Sequence, residues 1–529
     1  MWLCIVCFLA VANLVAPQSI INSLPGFSGD LPFKLETGYV GVGKSDEVQL
    51  FYYFIESERS PEDDPLVLWL TGGAGCSGFS GLVYEMGPLS FDYAKSKSNS
   101  PKLMLNPYSW TKVANIIFVD APVGTGFSYA KSSEGYNISD TLGVAELYEF
   151  LQKWLKVHPK FLTNSLYVMG DSYSGITIPI LVQKISDGNE IGQELRMNLK
   201  GYVIGNPLTN TNDDLNARIP FAHLKTLISD ELYESTKNNC KGEYRNVDPN
   251  NAACVDDLGI YTECTEKINT AQILEPTCQL LSPKPRTRVS KWDPDTLVED
   301  SVDLLRSITH LPEPRAWCRE YNYLYSYIWA NDKTVQKALR IREGSINEWV
   351  RCNLTLANTY DYDVSSSLNY HRNLIKKGYE EYNYLYSYIW ANDKTVQKAL
   401  RIREGSINEW VRCNLTLANT YDYDVSSSLN YHRNLIKKGY EVLIYSGDHD
   451  MVIPYIATHA WIDSLNLTIA HDWRPWFVDG QIAGFTMQYT SKKYCLTFAT
   501  VKGAGHTAPE YKPNECLAMI DRWLSYYPL

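Results

Sequence analysis

Six short apolar runs in this chain each stop at a turn of small residues, and this punctuation limits the fold more than any other feature. The runs are Pro65–Leu70 (PLVLWL), Val113–Asp120 (VANIIFVD), Leu166–Met169 (LYVM), Lys200–Ile204 (KGYVI), Glu441–Ser446 (EVLIYS) and Leu496–Val501 (LTFATV). Continuous apolar runs of this length predict strands buried on both faces, as in a parallel sheet covered by helices. Helical spacing follows in Thr141–Lys156, with Ser139 and Asp140 as candidate caps, and in Ile176–Ile185. Repeated strand, turn and helix units predict an α/β fold with a mostly parallel, doubly wound sheet. Sites in such sheets gather beyond the carboxyl ends of the strands, where all six turns lie. Asp46–Glu56 (DEVQLFYYFIE) alternates and predicts an antiparallel strand, and Glu515–Tyr527 predicts a closing amphipathic helix.

The turns carry the chemistry. In Ser165–Pro179 (SLYVMGDSYSGITIP) a buried strand breaks at a sharp turn and a helix follows, the setting of a nucleophile elbow. The side chain it would expose is Ser172, with small residues around it; taken alone, the motif also fits an ordinary Gly/Ser turn. The first run ends in Thr71-Gly72-Gly73-Ala74-Gly75-Cys76. Consecutive glycines after a buried strand let backbone N–H groups face an anion, so this loop is a candidate oxyanion hole, with a plain tight loop as the simpler reading. The expected donors are the N–H groups of Gly73 and of Tyr173, the residue after the nucleophile. The last two strands end at Gly447-Asp448-His449-Asp450 and at Gly503-Ala504-Gly505-His506. Ser172, an aspartate and His506 therefore end successive strands in the order of the α/β-hydrolase fold. His506 would take the Ser172 proton, and a carboxylate would hold the imidazole and its cation. Asp448 and Asp450 both qualify. Asp450, three residues past Gly447, is preferred, and Asp448 is left to cap the turn.

A net charge of −11 and a pI near 5.4 argue against nucleic acid or an anionic membrane surface as partner. Residues 1–16 (MWLCIVCFLAVANLVA) predict a secretory signal cleaved near Ala16, and no later membrane span is expected. Sequons at Asn137, Asn353, Asn414 and Asn466 fit a glycoprotein of the secretory pathway, in the vacuole or outside the cell. Twelve cysteines point to an oxidising compartment. No metal-ligand cluster is visible, and the chemistry calls for no cofactor.

Residues 17–210 form the first part of the core, and 319–529 the second. Residues 211–318 change character: they are polar, contain Cys240, Cys254, Cys264, Cys278 and Cys318, and predict an inserted helical lid stapled by disulfides. Within it, 284–292 (KPRTRVSKW) predicts an exposed, protease-sensitive linker. Residues 320–380 and 381–441 are identical over 61 positions. Removing 61 residues from 529 leaves 468, and one core has room for one copy. The expectation is that one copy packs and the other is extruded.

Taken together, WLTGGAGCSG (69–78), YEMGPL (84–89), NPYSWTKVANIIFVDAPVGTGFSY (106–129), GDSYSG (170–175), YSGDHDMVIP (445–454), DWRPWFVDGQIAGF (472–485) and KGAGHTAPEYKP (502–513) resemble the serine carboxypeptidase family. Within it the chain looks like the plant serine carboxypeptidase-like acyltransferase branch. The resemblance implies an α/β-hydrolase core with a helical insertion. It also suggests disulfides from Cys76 to Cys352 or its copy Cys413, and within the pairs Cys240–Cys254 and Cys278–Cys318. Cys264, Cys495 and Cys516 are left over.

Family carboxypeptidases grip a terminal carboxylate with an Asn before the oxyanion glycines, a Glu before the nucleophile and a second Glu. This sequence has Thr71, Asp171 and Glu85 there, beside Gly72. Thr offers one hydroxyl in place of an amide, and Asp is a methylene shorter than Glu. Loss of a designed buried hydrogen bond costs about 10⁴-fold or more in discrimination, so carboxylate recognition is expected to weaken. A sugar suits Thr and Asp better. The resemblance thus implies acyl transfer from a 1-O-glucose ester to an alcohol acceptor through a Ser172 acyl-enzyme. The partners are small molecules, and the protein is a monomer or homodimer. A serine carboxypeptidase is the alternative, and an inactive secretory binding protein a further one. Ala74, where the family usually has Pro, and the duplication both favour the last.

Overall fold

The computed structural model describes residues 19–92, 95–96, 101–192, 195–275, 326, 329–342, 344, 349, 421–422, 424–491 and 494–529. Sixteen strands are present among them: β1 (Ser19–Ile21), β2 (Leu35–Val42), β3 (Val48–Ile55), β4 (Leu66–Leu70), β5 (Leu89–Phe91), β6 (Leu103–Leu105), β7 (Asn115–Val119), β8 (Tyr129–Ala130), β9 (Ile138–Ser139), β10 (Leu166–Asp171), β11 (Leu199–Gly205), β12 (Tyr421–Asp422), β13 (Glu441–Gly447), β14 (Thr468–Val478), β15 (Gln481–Ser491) and β16 (Tyr494–Val501). The main sheet has twelve strands in the order β1-β2-β3-β7-β4-β10-β11-β13-β16-β15-β14, with β8 paired to β3.

Its middle, β7 to β16, is parallel, and both flanks are antiparallel. The sheet is therefore mixed rather than mostly parallel. The connections β2–β3, β14–β15 and β15–β16 are too short for a crossover helix, which forces antiparallel pairing there. The hairpin β14–β15 turns at Asp479-Gly480, both at positive φ (49° and 73°). Strand β3 sends Phe51, Tyr53 and Ile55 to one face of the sheet and Leu50, Tyr52 and Phe54 to the other, so it alternates in direction but not in burial. All eight of its residues are buried, because β2 and β7 flank it and both sheet faces are covered.

The helices lie where the spacing predicts. α1 (Asp140–Val157) is capped by Ser139, whose hydroxyl accepts from the Leu142 N–H at 3.2 Å. α2 (Ser174–Glu190) follows the elbow. Pro179 lies inside α2 and has no N–H for the Gly175 carbonyl one turn back. The Ser428 hydroxyl donates to that carbonyl instead, at 2.8 Å. Within the insertion lie α3 (Thr211–Asn216), α4 (Arg218–Leu224), α5 (Asp230–Cys240) and α6 (Ala252–Thr265). One disulfide, Cys240–Cys254, joins the end of α5 to α6.

The duplicated segment is used in an unexpected way. The described residues come from both copies, in complementary parts. From the first copy, Trp329, Val335, Leu339, Ile341 and Trp349 pack into the apolar cluster on one face of the sheet. The Thr37 hydroxyl donates to the Leu339 carbonyl at 2.6 Å. From the second copy, the helix Leu429–Lys438 packs Leu435 into the cluster on the opposite face. There Tyr202 Oη and His432 Nδ1 lie 2.6 Å apart. The expectation of one packed copy and one extruded copy is thus corrected: described residues of both copies pack, those within 326–349 from the first and those within 421–441 from the second. Their counterparts in the other copy lie outside the described residues.

Candidate active site

Strands β4, β10, β11, β13 and β16 are consecutive neighbours and parallel, so the turns at their carboxyl ends share one edge of the sheet. Neighbouring strands lie about 4.8 Å apart, so β16 ends roughly 14 Å from β10, and its turn must reach back to meet Ser172.

Ser172 sits at φ 54°, a left-handed conformation that strains a non-glycine residue. Backbone bonds hold it there. Its N–H donates to the Gly205 carbonyl at 2.9 Å, and its own carbonyl accepts from Leu208 at 2.9 Å and Gly175 at 3.0 Å. The turn is tight enough to require glycine on both sides. A Cβ on Gly170 would lie 2.2 Å from the Leu70 carbonyl oxygen, and one on Gly175 would lie 2.5 Å from that of Leu208.

His506 Nε2 is 2.7 Å from Ser172 Oγ, and His506 Nδ1 is 2.8 Å from Asp450 Oδ2. Asp450, not Asp448, faces the imidazole. It is fully buried and accepts further bonds from the N–H groups of Val452 (2.7 Å) and Ile453 (3.3 Å) and from Asn206 Nδ2 (2.7 Å). Asp448 instead accepts from the Gly503 N–H at 2.6 Å and so ties the aspartate turn to the histidine turn. Asn206 was not singled out by sequence reasoning. Its signal is a polar residue that tolerates positive φ (42°) directly after a buried strand.

The candidate oxyanion loop lies against the serine. A Cβ on Gly72 would be 2.6 Å from Ser172 Cβ and 3.1 Å from its Oγ. Gly73 and Tyr173, the expected donors, directly follow Gly72 and Ser172. Gly73 takes φ 125°, and the Tyr173 hydroxyl donates to Asp140 at 3.0 Å. Behind the loop, Ser77 Oγ (2.6 Å) and the Gly78 N–H (2.9 Å) donate to one Asp120 oxygen, and the Phe127 N–H (2.8 Å) donates to the other. Burial pushes the Asp120 carboxyl up to about 7, with these three bonds opposing it. Phe79 stacks on Trp329 and meets Trp349 edge-on, so the first copy of the repeat buttresses this loop.

Among the expected substrate residues, Asp171 Oδ1 accepts from the Gly72 N–H at 2.9 Å, and Thr71 Oγ1 accepts from Trp69 Nε1 at 3.2 Å. Glu85 is buried nearby. Burial raises the Tyr445 hydroxyl well above its ordinary pKa, and the charges of Cys516, Asp171 and Glu85 add to the shift, so both carboxyl groups converge on this tyrosine.

Several expected features lie outside the described residues: the 1–16 signal, Cys278, Cys318, Cys352, Cys413, Asn353, Asn414 and the 284–292 linker. Cys76 is disulfide-bonded, with its partner also outside them. Asn137 and Asn466 are exposed, and Cys264, Cys495 and Cys516 are free thiols. Among the described residues there is no group of three His, Cys, Asp or Glu placed to hold a metal ion, and no helix long and apolar enough to cross a membrane.

Residues 25–384 and 366–526 match the sequence profile of serine carboxypeptidase. The chain is 43% identical over 511 residues to serine carboxypeptidase-like 7 of Arabidopsis thaliana, covering 97% of this chain and 94% of that protein. It is 43% identical over 521 residues to serine carboxypeptidase-like 10 of the same plant, covering 98% and 97%. The fold is similar to that of a prohormone-processing carboxypeptidase from Saccharomyces cerevisiae, with a TM-score of 0.61, 20% identity, and 96% and 95% of the two chains covered.

Proposed function

The chain belongs to the serine carboxypeptidase family, and from that premise we propose that it is an acyltransferase moving an acyl group from a 1-O-glucose ester to an alcohol. Ser172 is the nucleophile, His506 the general base and acid, and Asp450 the group that orients His506. In the first half, Ser172 Oγ attacks the ester carbonyl as His506 Nε2 takes its proton. The N–H groups of Gly73 and Tyr173 hold the oxyanion. The bond to the sugar oxygen breaks, that oxygen receives the proton from His506, and glucose leaves. In the second half, His506 takes the proton of the acceptor alcohol, the alkoxide oxygen attacks the acyl-serine, and the proton returns to Ser172 Oγ. Transfer outpaces hydrolysis where the acceptor is held and water is excluded, which is the role assigned to the 211–318 insertion.

The observation that carries the transferase reading is at Asp171. Its Oδ1 accepts from the Gly72 N–H at 2.9 Å, which ties a carboxyl one methylene shorter than the family's Glu to the candidate oxyanion loop, and beside it Thr71 Oγ1 accepts from Trp69 Nε1 at 3.2 Å. A hydroxyl at Thr71 and a short carboxyl at Asp171 match the hydroxyls of a sugar, and they lack the amide and the longer arm that suit a peptide's terminal carboxylate. The experiment is product analysis with a phenolic glucose ester and mixed alcohols.

A carboxypeptidase is the second reading. Glu85 beside Asp171 supports it, because a carboxyl pair that shares one proton can bind a carboxylate. The yeast carboxypeptidase of similar fold favours the same direction. Release of an amino acid from a blocked dipeptide distinguishes the two. Either enzyme is assigned to the secretory pathway, in the vacuole or outside the cell, on the strength of the apolar 1–16 segment and the exposed sequons at Asn137 and Asn466.

A further inference from the structure

The turns that carry Asp450 and His506 are gripped by the insertion as well as by the sheet. Just past α6, residues 269–275 cross both turns. The Ala271 carbonyl accepts from the His506 N–H at 2.7 Å, and the Thr270 carbonyl accepts from the Met451 N–H at 2.8 Å. The Ile273 N–H donates to the His449 carbonyl at 3.2 Å, and Gln272 Nε2 donates to the Gly503 carbonyl at 3.1 Å. Two of these bonds go to the aspartate turn and two to the histidine turn, and all four go to backbone. Contact is close: a Cβ on Gly505 would lie 2.2 Å from the Ala271 oxygen.

The strap is shaped by its own side chains. Asn269 Oδ1 accepts from the Ala271 N–H at 3.1 Å, and the buried Gln272 side chain also accepts from the Leu274 N–H at 3.3 Å. The strap and the aspartate turn share the insertion's own core. Ile273 of the strap and Met451 of the turn both pack with Ile219, Phe221, Ala222 and Ile228, and Arg218 Nε donates to the Val452 carbonyl at 3.0 Å.

A proton relay tolerates little displacement, since an error of about 1 Å costs on the order of a hundredfold. The strap bonds both turns at once, so sliding one turn against the other breaks bonds to the strap. We infer that the 269–275 strap positions the His506–Asp450 pair, with Gln272 and Asn269 as its positioning residues, so that the insertion sets the alignment of the relay as well as covering it. This inference rests on the proposed roles of Ser172 and His506.

The test is labelling of the full chain by a fluorophosphonate, followed over time. Gln272→Ala and Asn269→Ala are expected to lower the first-order labelling rate constant about tenfold or more. Half-saturation by the probe and the final stoichiometry at Ser172 should stay unchanged. Gln272→Glu keeps the acceptor for Leu274 and loses the donor to Gly503 while ionised, so its rate relative to the unmodified chain at the same pH should recover as the side chain is protonated at low pH. A purely structural role would reduce the labelled fraction instead of the rate constant. Unchanged rate constants in all three variants, or a loss confined to the labelled fraction, would overturn the inference while leaving the nucleophile intact. No labelling of the unmodified chain would overturn the proposed nucleophile and this inference together.

Discussion

Asn206 and His506 bond the same oxygen of Asp450, at 2.7 and 2.8 Å. The amide comes from the turn after β11 and the imidazole from the turn after β16. Between them they fix where that oxygen points. Asn206 touches no reacting atom, so its effect should fall on turnover. Asn206→Gly keeps the positive φ and removes the amide. A hydrogen bond to a charged group is worth about 1.5–3 kcal/mol, so kcat should fall roughly 10- to 100-fold with KM little changed. Steady-state kinetics on any ester that acylates Ser172 checks this, and an equal loss spread into KM would contradict it.

Substrate choice should be exchangeable at two positions. Thr71→Asn and Asp171→Glu together restore the amide and the longer carboxyl arm that suit a peptide's terminal carboxylate. The double variant should gain cleavage of a blocked dipeptide and lose transfer from a glucose ester by about tenfold or more, as expected when buried polar partners are mismatched. Assays of both activities on the same preparations give the ratio.

Stability should be greatest on the acid side of neutrality. Burial raises Asp120 and Asp214 to about 7 and Glu146 to about 8. Between about pH 4, the ordinary carboxyl value, and pH 7–8, the folded protein keeps protons that the unfolded chain releases. Stability therefore falls as pH rises through that window. His432 acts in the other sense. Burial lowers it to about 3, so below about pH 6.5 the unfolded chain takes up a proton that the folded one refuses. Three groups outweigh one, and Tm should be higher at pH 5 than at pH 8. Thermal melts across this range decide it, and a maximum at pH 8 would contradict the burial of these carboxyls.

The duplication should be dispensable. Deleting any 61 consecutive residues within 320–441 gives the same 468-residue chain, because the copies are identical. The packed residues survive the deletion, and the step from Trp349 to Tyr421 shortens from 72 positions to 11. Each halving of a connection recovers about 0.6 kcal/mol, so the shortened protein should be more stable by about 1.6 kcal/mol. Denaturant melts of the two chains test this; a less stable short chain would mean that the extra residues pack.

Much of the site was legible because the chemistry sits where buried strands end. Ser172, Gly72, Gly73 and His506 each follow an apolar run in the sequence, and neighbouring parallel strands then bring the turns together. The choice of Asp450 over Asp448 also followed from its position past Gly447. What could not be read was set by pairing between distant segments. Nothing local to Asn206 says that it meets Asp450, 244 positions away. The strap at 270–273 bonds through its backbone, which leaves no mark on residue type except at Gln272. The antiparallel hairpin β14–β15 had a signal in Asp479-Gly480, but the strand before it, with two Trp and a Pro, hid the pattern. Identical copies have identical propensities, so nothing local in the sequence says which copy makes a given tertiary contact, such as that of Ser428 with Gly175.

The most direct measurement is the product spectrum of the purified full chain and of its 468-residue form. Each is given a phenolic glucose ester with mixed alcohols, and separately a blocked dipeptide, at mildly acidic pH. New esters from both chains, abolished by Ser172→Ala, with the dipeptide left intact, are the predicted result. Release of an amino acid without any new ester would show that Thr71, Asp171 and Glu85 still hold a carboxylate, and would contradict the transferase assignment.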